Sequence, residues 1–166
     1  MVNLTRFLKH TFSFLSLGRN PFPQRVLHSI ETTIEESEKK HGGEIRFVVE
    51  NTLSPGDVLN GTTAHQRALE LFSILRVWDT EHNNGVLLYL LLADKEVEIV
   101  ADRGLNGRVT PDQWESVCRS METHFRTGQF EEGTRTGLAQ ITHLLATHFP
   151  PPTQKPNEIS NTPVVL

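Results

Sequence analysis

Residues 85–102 read GVLLYLLLADKEVEIVAD, and the fold turns on them. The run from Gly85 to Ala93 is continuously apolar for nine residues, too short for a membrane-crossing helix of about 20. It is also too evenly apolar for a strand with one wet face, which would alternate. The run predicts a strand covered on both faces, central in a sheet flanked by helices. Asp94-Lys95 follows as a turn pair, and EVEIVAD then alternates Val97 and Ile99 with charged positions. The second strand therefore folds back as a tight antiparallel hairpin.

Upstream, EIRFVVE places Ile45, Phe47 and Val49 on one side and charged or weakly apolar residues on the other, the pattern of a half-covered strand. Between it and the apolar run, Thr62-Thr63 can cap a helix whose Ala64, Ala68, Leu71, Phe72 and Leu75 share a face. Strand, helix and strand make a parallel crossover unit, so the sheet is mixed. SPGDVLNG between strand and helix reads as a turn-rich connection. Val26, Ile30, Ile34 and Glu38 form a helical stripe ahead of the first strand, stopped by His41-Gly42-Gly43. Thr110 and Pro111 open another helix with Trp114, Val117, Cys118, Met121 and Phe125 on one face, and Leu138, Ile141, Leu145 and Phe149 mark the last. The predicted architecture is a three-layer α/β/α sandwich with a short mixed sheet.

Three segments follow: an amphipathic helix at 1–18, a domain at 21–149 and a proline-rich, weakly structured tail at 150–166. Leu4, Phe7, Leu8, Phe12 and Leu15 recur at helical spacing among Arg6, Lys9 and His10. Docking of that helix on the domain through Phe7, Phe12 and Leu15 is expected, with peripheral membrane contact as the lesser alternative. The apolar stretch Phe12 to Leu17 is broken by serines and lacks a cleavage site, so a cytoplasmic chain without a transmembrane segment is expected.

The 166 residues carry 37% hydrophobic and 22% charged residues, a folding composition for one domain. A net charge of −4 argues against nucleic acid as a partner. The single cysteine, Cys118, lies on an apolar stripe and reads as a buried structural thiol. The eight histidines show no HExxH or similar ligand spacing, and no P-loop, GxSxG or GxGxxG motif occurs. No nucleotide or organic cofactor is expected.

Chemistry can gather where the hairpin begins and ends, because antiparallel pairing brings Asp79, Glu81, His82, Asn83 and Asn84 close to Asp102, Arg103 and Asn106. Two uses fit these groups. Arg103 can form an ion pair while Asx turns close the loops. Alternatively, Arg103 faces a phosphate with Asp79 and Asp102 around a metal. The opposite edge, beyond the carboxyl ends of the parallel strands, can gather Glu50, Asn51, Thr62, Thr63, His65 and Asp94, and ranks second.

RALELFSILRVWDTEHNNGVLLYLLLADKEVEIVADRGLNGRVTPDQW together with the later FRTGQFEEGTRTGLAQI resembles the TPM domain family, over about Glu44 to Leu145. That family takes its name from a thylakoid-lumen phosphatase-like protein, a photosystem repair protein and a receptor modulator. The resemblance implies a three-layer sandwich and, as in some members, a metal-binding, phosphatase-like role with Ca²⁺ or Mg²⁺. This chain departs from the family pattern at three places. Ala101-Asp102-Arg103-Gly104 stands where a TGxG turn is usual, Asn83-Asn84-Gly85 replaces a DNG, and the acidic residue leading the next helix falls near Pro111, with Asp112 one residue late. Asp79, Asp102 and Arg103 are the candidate catalytic residues, and Asp79, Glu81, Asn84 and Asp102 the candidate cation ligands. The displaced ligands favour a binding or assembly module, with an unidentified protein partner, over a divalent-cation-dependent phosphomonoester hydrolase.

Overall fold

The computed structural model describes residues 4–15 (side chains to residue 11), 21–151, 153 and 156–166. In chain order the elements are α1 Leu4–Leu15, α2 Gln24–Glu38, β1 Glu44–Glu50, α3 Pro55–Leu59, α4 Ala64–Ile74, β2 Gly85–Leu91, β3 Glu96–Ala101, a short 3-10 turn Arg103–Leu105, α5 Pro111–Arg126, α6 Phe130–His148 and β4 Val164–Val165. The sheet order is β3-β2-β1-β4. β1 and β2 run parallel with Phe47 beside Leu88, and β2 and β3 run antiparallel with Leu88 beside Ile99. Every residue of β2 is buried. A continuously apolar strand can tolerate neither face in water, and the three-layer α/β sandwich covers both.

Alternation along the strands sorts two cores. Ile45, Phe47, Val49, Val86, Leu88, Leu90 and Val97 meet the stripes of α2, α5 and α6 on one side. Val48, Leu87, Tyr89, Leu91 and Val100 meet α3 and α4 on the other. Both threonine caps form as expected, each within a capping box: Thr63 with Gln66, and Thr110 with Gln113.

Four features differ from the sequence reading. Residues 55–59 are helical, because Ser54 caps the Asp57 N–H and Pro55 fits the first turn; five residues are too few to show periodicity. The tail is not loosely structured at its end: Val164–Val165 pairs in parallel with Val48–Val49, and Ile159 is buried. β1 is covered on both faces rather than half-covered, since Glu44 and Glu50 on its charged side are buried in hydrogen bonds. In α1, Leu4 and Leu8 are exposed while Phe7 packs against the α3–α4 core. Phe12 and Leu15 lie outside the described side chains. No helix among the described residues is long and apolar enough to cross a membrane.

Candidate functional site

The start of β2 and the end of β3 meet as the hairpin requires. The Asp102 N–H donates to the Gly85 carbonyl at 2.9 Å, and the Gly104 N–H to the Asn83 carbonyl at 2.8 Å. Glycine is required at 104, because a Cβ there would sit 2.5 Å from the carbonyl oxygens of both His82 and Asn83. Gly85 is equally constrained: the Val77 carbonyl oxygen would lie 2.0 Å from a Cβ at 85. Two close backbone approaches thus press the segment leading into β2 against the sheet. That segment also holds Arg76 and Asn83 at positive φ, 53° and 51°.

Arg103 Nε donates to Asn83 Oδ1 at 2.8 Å, and its backbone N–H to Asp102 Oδ1 at 2.7 Å. Asp79 is exposed and pairs with Arg76 at 2.8 Å, within its own turn. Asn84 is buried; its N–H donates to Thr80 Oγ1 and its Nδ2 to the Gly42 carbonyl at 2.9 Å. Glu81 is exposed, and its N–H is held by Glu158 Oε2 at 2.8 Å. The structure therefore joins Asn83, Asp102 and Arg103, whereas the Asn84 side chain turns to Gly42 and Asp79 engages its own turn. Asn84 Oδ1 and Asp102 Oδ2 are both buried without a hydrogen-bond partner. Strand parity sends them to different sides, Asn84 with Val86 toward the α2–α5–α6 core and Asp102 with Val100 toward α4. Among the described residues no group of three or more His, Cys, Asp and Glu side chains is placed to hold a metal ion.

Beside this edge, the end of α4 and the turn after it expose apolar surface. Ile74 is 62% exposed and Trp78 46%, with the Arg76 guanidinium 5.7 Å from the Trp78 ring. Trp78 lies in the charged, polar stretch Arg76 to Asn84, where burial of a tryptophan is not expected.

The opposite edge is filled by the protein itself. Arg6, Lys9 and His10 of α1 converge on Asp94, at 2.9, 3.2 and 3.1 Å. Arg6 also donates to the Thr62 carbonyl, and His10 Nδ1 accepts the Leu53 N–H, which fixes the Nε2–H tautomer facing Asp94. Burial alone would raise the Asp94 carboxyl, but hydrogen bonds from Arg6, His10 and Lys9 hold it below the usual carboxylate range. Burial beside Asp94 moves Glu96 the other way, upward. Deeper in, Arg67 grips Glu50 with Nε and Nη2 at 3.0 and 3.1 Å while the Tyr89 hydroxyl donates to Glu50 Oε2 at 2.7 Å. Burial, reinforced by the Glu50 carboxylate, drives the Tyr89 hydroxyl far above its ordinary range. Thr63 caps α4 and His65 pairs with Glu98, so the residues expected to converge here divide among separate structural tasks. Burial pushes the Cys118 thiol up to about 12, with Glu98 and Glu122 adding to it, which fits the expected structural thiol.

A mixed four-stranded sheet between two helical layers, with its polar edge at the hairpin's open end, defines a TPM-type sandwich. The TPM domain family matches residues 22–144, and the chain belongs to it. The solution structure of the BA42 protein from the psychrophilic bacterium Bizionia argentinensis is 28% identical, with a TM-score of 0.76 over 87% of this chain and 94% of that one. The N-terminal domain of a protein from P. gingivalis shares the fold at 22% identity and a TM-score of 0.62, over 80% of this chain and 82% of that one. No curated protein matches the chain.

Proposed function

We propose that this TPM domain is a non-catalytic binding or assembly module that meets a protein partner through the 74–83 turn. The exposed Trp78, with Arg76 over its ring and the exposed Ile74 four residues earlier in the chain, carries this reading: tryptophan and arginine dominate contact energetics in protein interfaces. The close approaches at Gly85 and Gly104 keep the turn preorganised, so little entropy is lost on contact. The candidate catalytic side chains are already engaged, Asp79 in an ion pair with Arg76 and the Arg103 guanidinium in a hydrogen bond to Asn83, while Asp102 accepts the Arg103 backbone N–H. A Trp78→Ala, Ile74→Ala double variant, on an exposed face, keeps the native amide spectrum and loses a partner that the unchanged chain retains on the same matrix.

A second reading, a Ca²⁺- or Mg²⁺-dependent hydrolase of phosphomonoesters, is favoured by the buried, unpartnered Asp102 Oδ2. A hard cation takes six to eight oxygens, so one bound at Asp102 draws most of them from water and main-chain carbonyls. Titrating Ca²⁺, Mg²⁺ and phosphate to millimolar concentration while following amide shifts separates the two. Silence at 79–84 and 102–106 supports the binding module. Shifts there that vanish in Asp102→Asn, with hydrolysis of a chromogenic phosphomonoester, support the hydrolase.

A further inference from the structure

The charged side of β1 and its outer edge are occupied by residues 156–166, and the fit is specific. Ile159 seats in the α3–α4 core, 7% exposed, and its N–H donates to Glu44 Oε2 at 3.3 Å. Asn161 Nδ2 donates to Glu38 Oε2 at 3.0 Å, and Thr162 Oγ1 to Glu31 Oε1 at 2.6 Å. Arg46 Nη1 donates to the carbonyls of Ser160 and Thr162. Strand pairing then runs from Val48 beside Val164 to the Leu166 N–H on the Val49 carbonyl and the Asn51 N–H on the Leu166 carbonyl. Side chains from α2 and β1 thus read an extended peptide, with backbone bonds supplying affinity and one apolar anchor fixing register, the logic of strand addition.

We propose that the β1 edge is a peptide slot which this chain's own tail fills in cis and the tail of a second copy fills in trans, so that the domain assembles by strand exchange. Three observations carry it. The family match covers residues 22–144, so the slot lies inside the matched domain and its occupant beyond the matched residues. The strand pairing itself is two residues long, so opening it breaks few main-chain bonds. The connector PPPTQKPNE, residues 150–158, is longer than its task. The Phe149 carbonyl is bound by Gly42 and the Ile159 N–H by Glu44, anchor points two residues apart on the same stretch. Nine residues of this composition can instead extend to about 28 Å, enough to deliver the tail to another molecule without disturbing α6. Tethering makes the cis tail compete at an effective concentration near the millimolar range, so exchange grows as protein concentration approaches that level. The proposal makes no use of the Asn83–Asp102 edge or of Trp78, and it stands or falls separately from both readings above.

The test uses the full chain with Cys118→Ser, Glu31→Cys and Thr162→Cys, refolded at about 10 µM and about 1 mM and bridged with a short bismaleimide. Strand exchange gives a covalent dimer whose share rises with refolding concentration, while Glu31→Cys and Thr162→Cys singly set the background. In parallel, a synthetic peptide of residues 156–166 is added to the full chain carrying Ile159→Asp, whose own anchor is spoiled. The amides of Val48, Val49 and Asn51 then return to their native positions. Cross-links confined within one chain at both concentrations overturn the proposal, as do amides that stay unmoved up to millimolar peptide.

Discussion

One carboxylate decides where α1 lies. Asp94 sits in the hairpin turn beside Lys95, whose positive φ of 57° closes the four-residue connection from Leu92 to Lys95, and three basic groups of α1 meet it there. Glu96 on the same hairpin carries the same charge as Asp94, and burial together with that neighbour raises its carboxyl. Because the Asp94 carboxyl is held below its unfolded value of about 3.9, its contribution is complete above that pH and is lost as pH falls through the lower, folded value. Amide exchange measured from pH 6 to pH 3 should show α1 residues 4–11 losing protection below about pH 4 while β2 keeps its own. An Asp94→Asn chain should show weakened α1 protection already at pH 6. Unchanged α1 protection across that range would mean that Phe7 alone secures the helix. Gly104 gives a second residue-scale outcome. Gly104→Ala drives a methyl into two main-chain carbonyls that cannot rotate away, and should cost about 1–3 kcal/mol in chemical denaturation.

At the scale of elements, what could be read in the sequence follows from what is periodic. β2, β3, α4, α5 and α6 declare themselves because their burial follows a period of two or 3.6, or because a continuous apolar run admits one placement. Even Glu38, read as part of the α2 stripe, is buried there, accepting the Ile45 N–H. α3 and β4 are too short to repeat, and β4 lies in a segment whose prolines signal looseness. The missed clue was in β1. Glu44, Arg46 and Glu50 share one side of a strand, and such a row reads as a solvated face until something pairs with it; here the tail and Arg67 do. The candidate site was half legible for the same reason. Hairpin geometry juxtaposes residues 83–84 with 102–103, but extending it back to Asp79 reaches beyond the paired residues, and Asp79 pairs with Arg76 in its own turn. The element-scale prediction rests on β2: Leu88, fully buried between β1 and β3, should on change to alanine lower stability by roughly 2–5 kcal/mol. A denaturation difference below about 1 kcal/mol would show that β2 lacks the tight double cover assigned to it.

Across the whole molecule, stability should decrease outward from β2 in both directions, because the sheet's middle and its margins are held by different forces. β1 and β2 share a seven-residue ladder and sit between two apolar cores, so their opening exposes both at once. α1 and β4 are instead fixed largely by hydrogen bonds and ion pairs at the periphery: Arg6, Lys9 and His10 on Asp94 at one end, and Arg46, Glu38 and Glu44 on the tail at the other. Charged contacts at the margin are screened by salt most where they are exposed, as at Lys9, and less where they are buried, as at His10, whereas apolar burial is not screened. Native-state hydrogen exchange should therefore resolve three tiers. The amides of 86–90 and 45–49 exchange only through global unfolding, α5 and α6 follow closely, and α1 with the bonds of Asn51 and Leu166 opens well below the global free energy. Raising NaCl from 0.05 to 1 M, which shortens the Debye length to about 3 Å, should accelerate exchange in α1 and leave the innermost tier unchanged. If all tiers moved together with salt, the margins would belong to the same cooperative unit as the core, and neither α1 nor the tail could leave the domain while it stays folded.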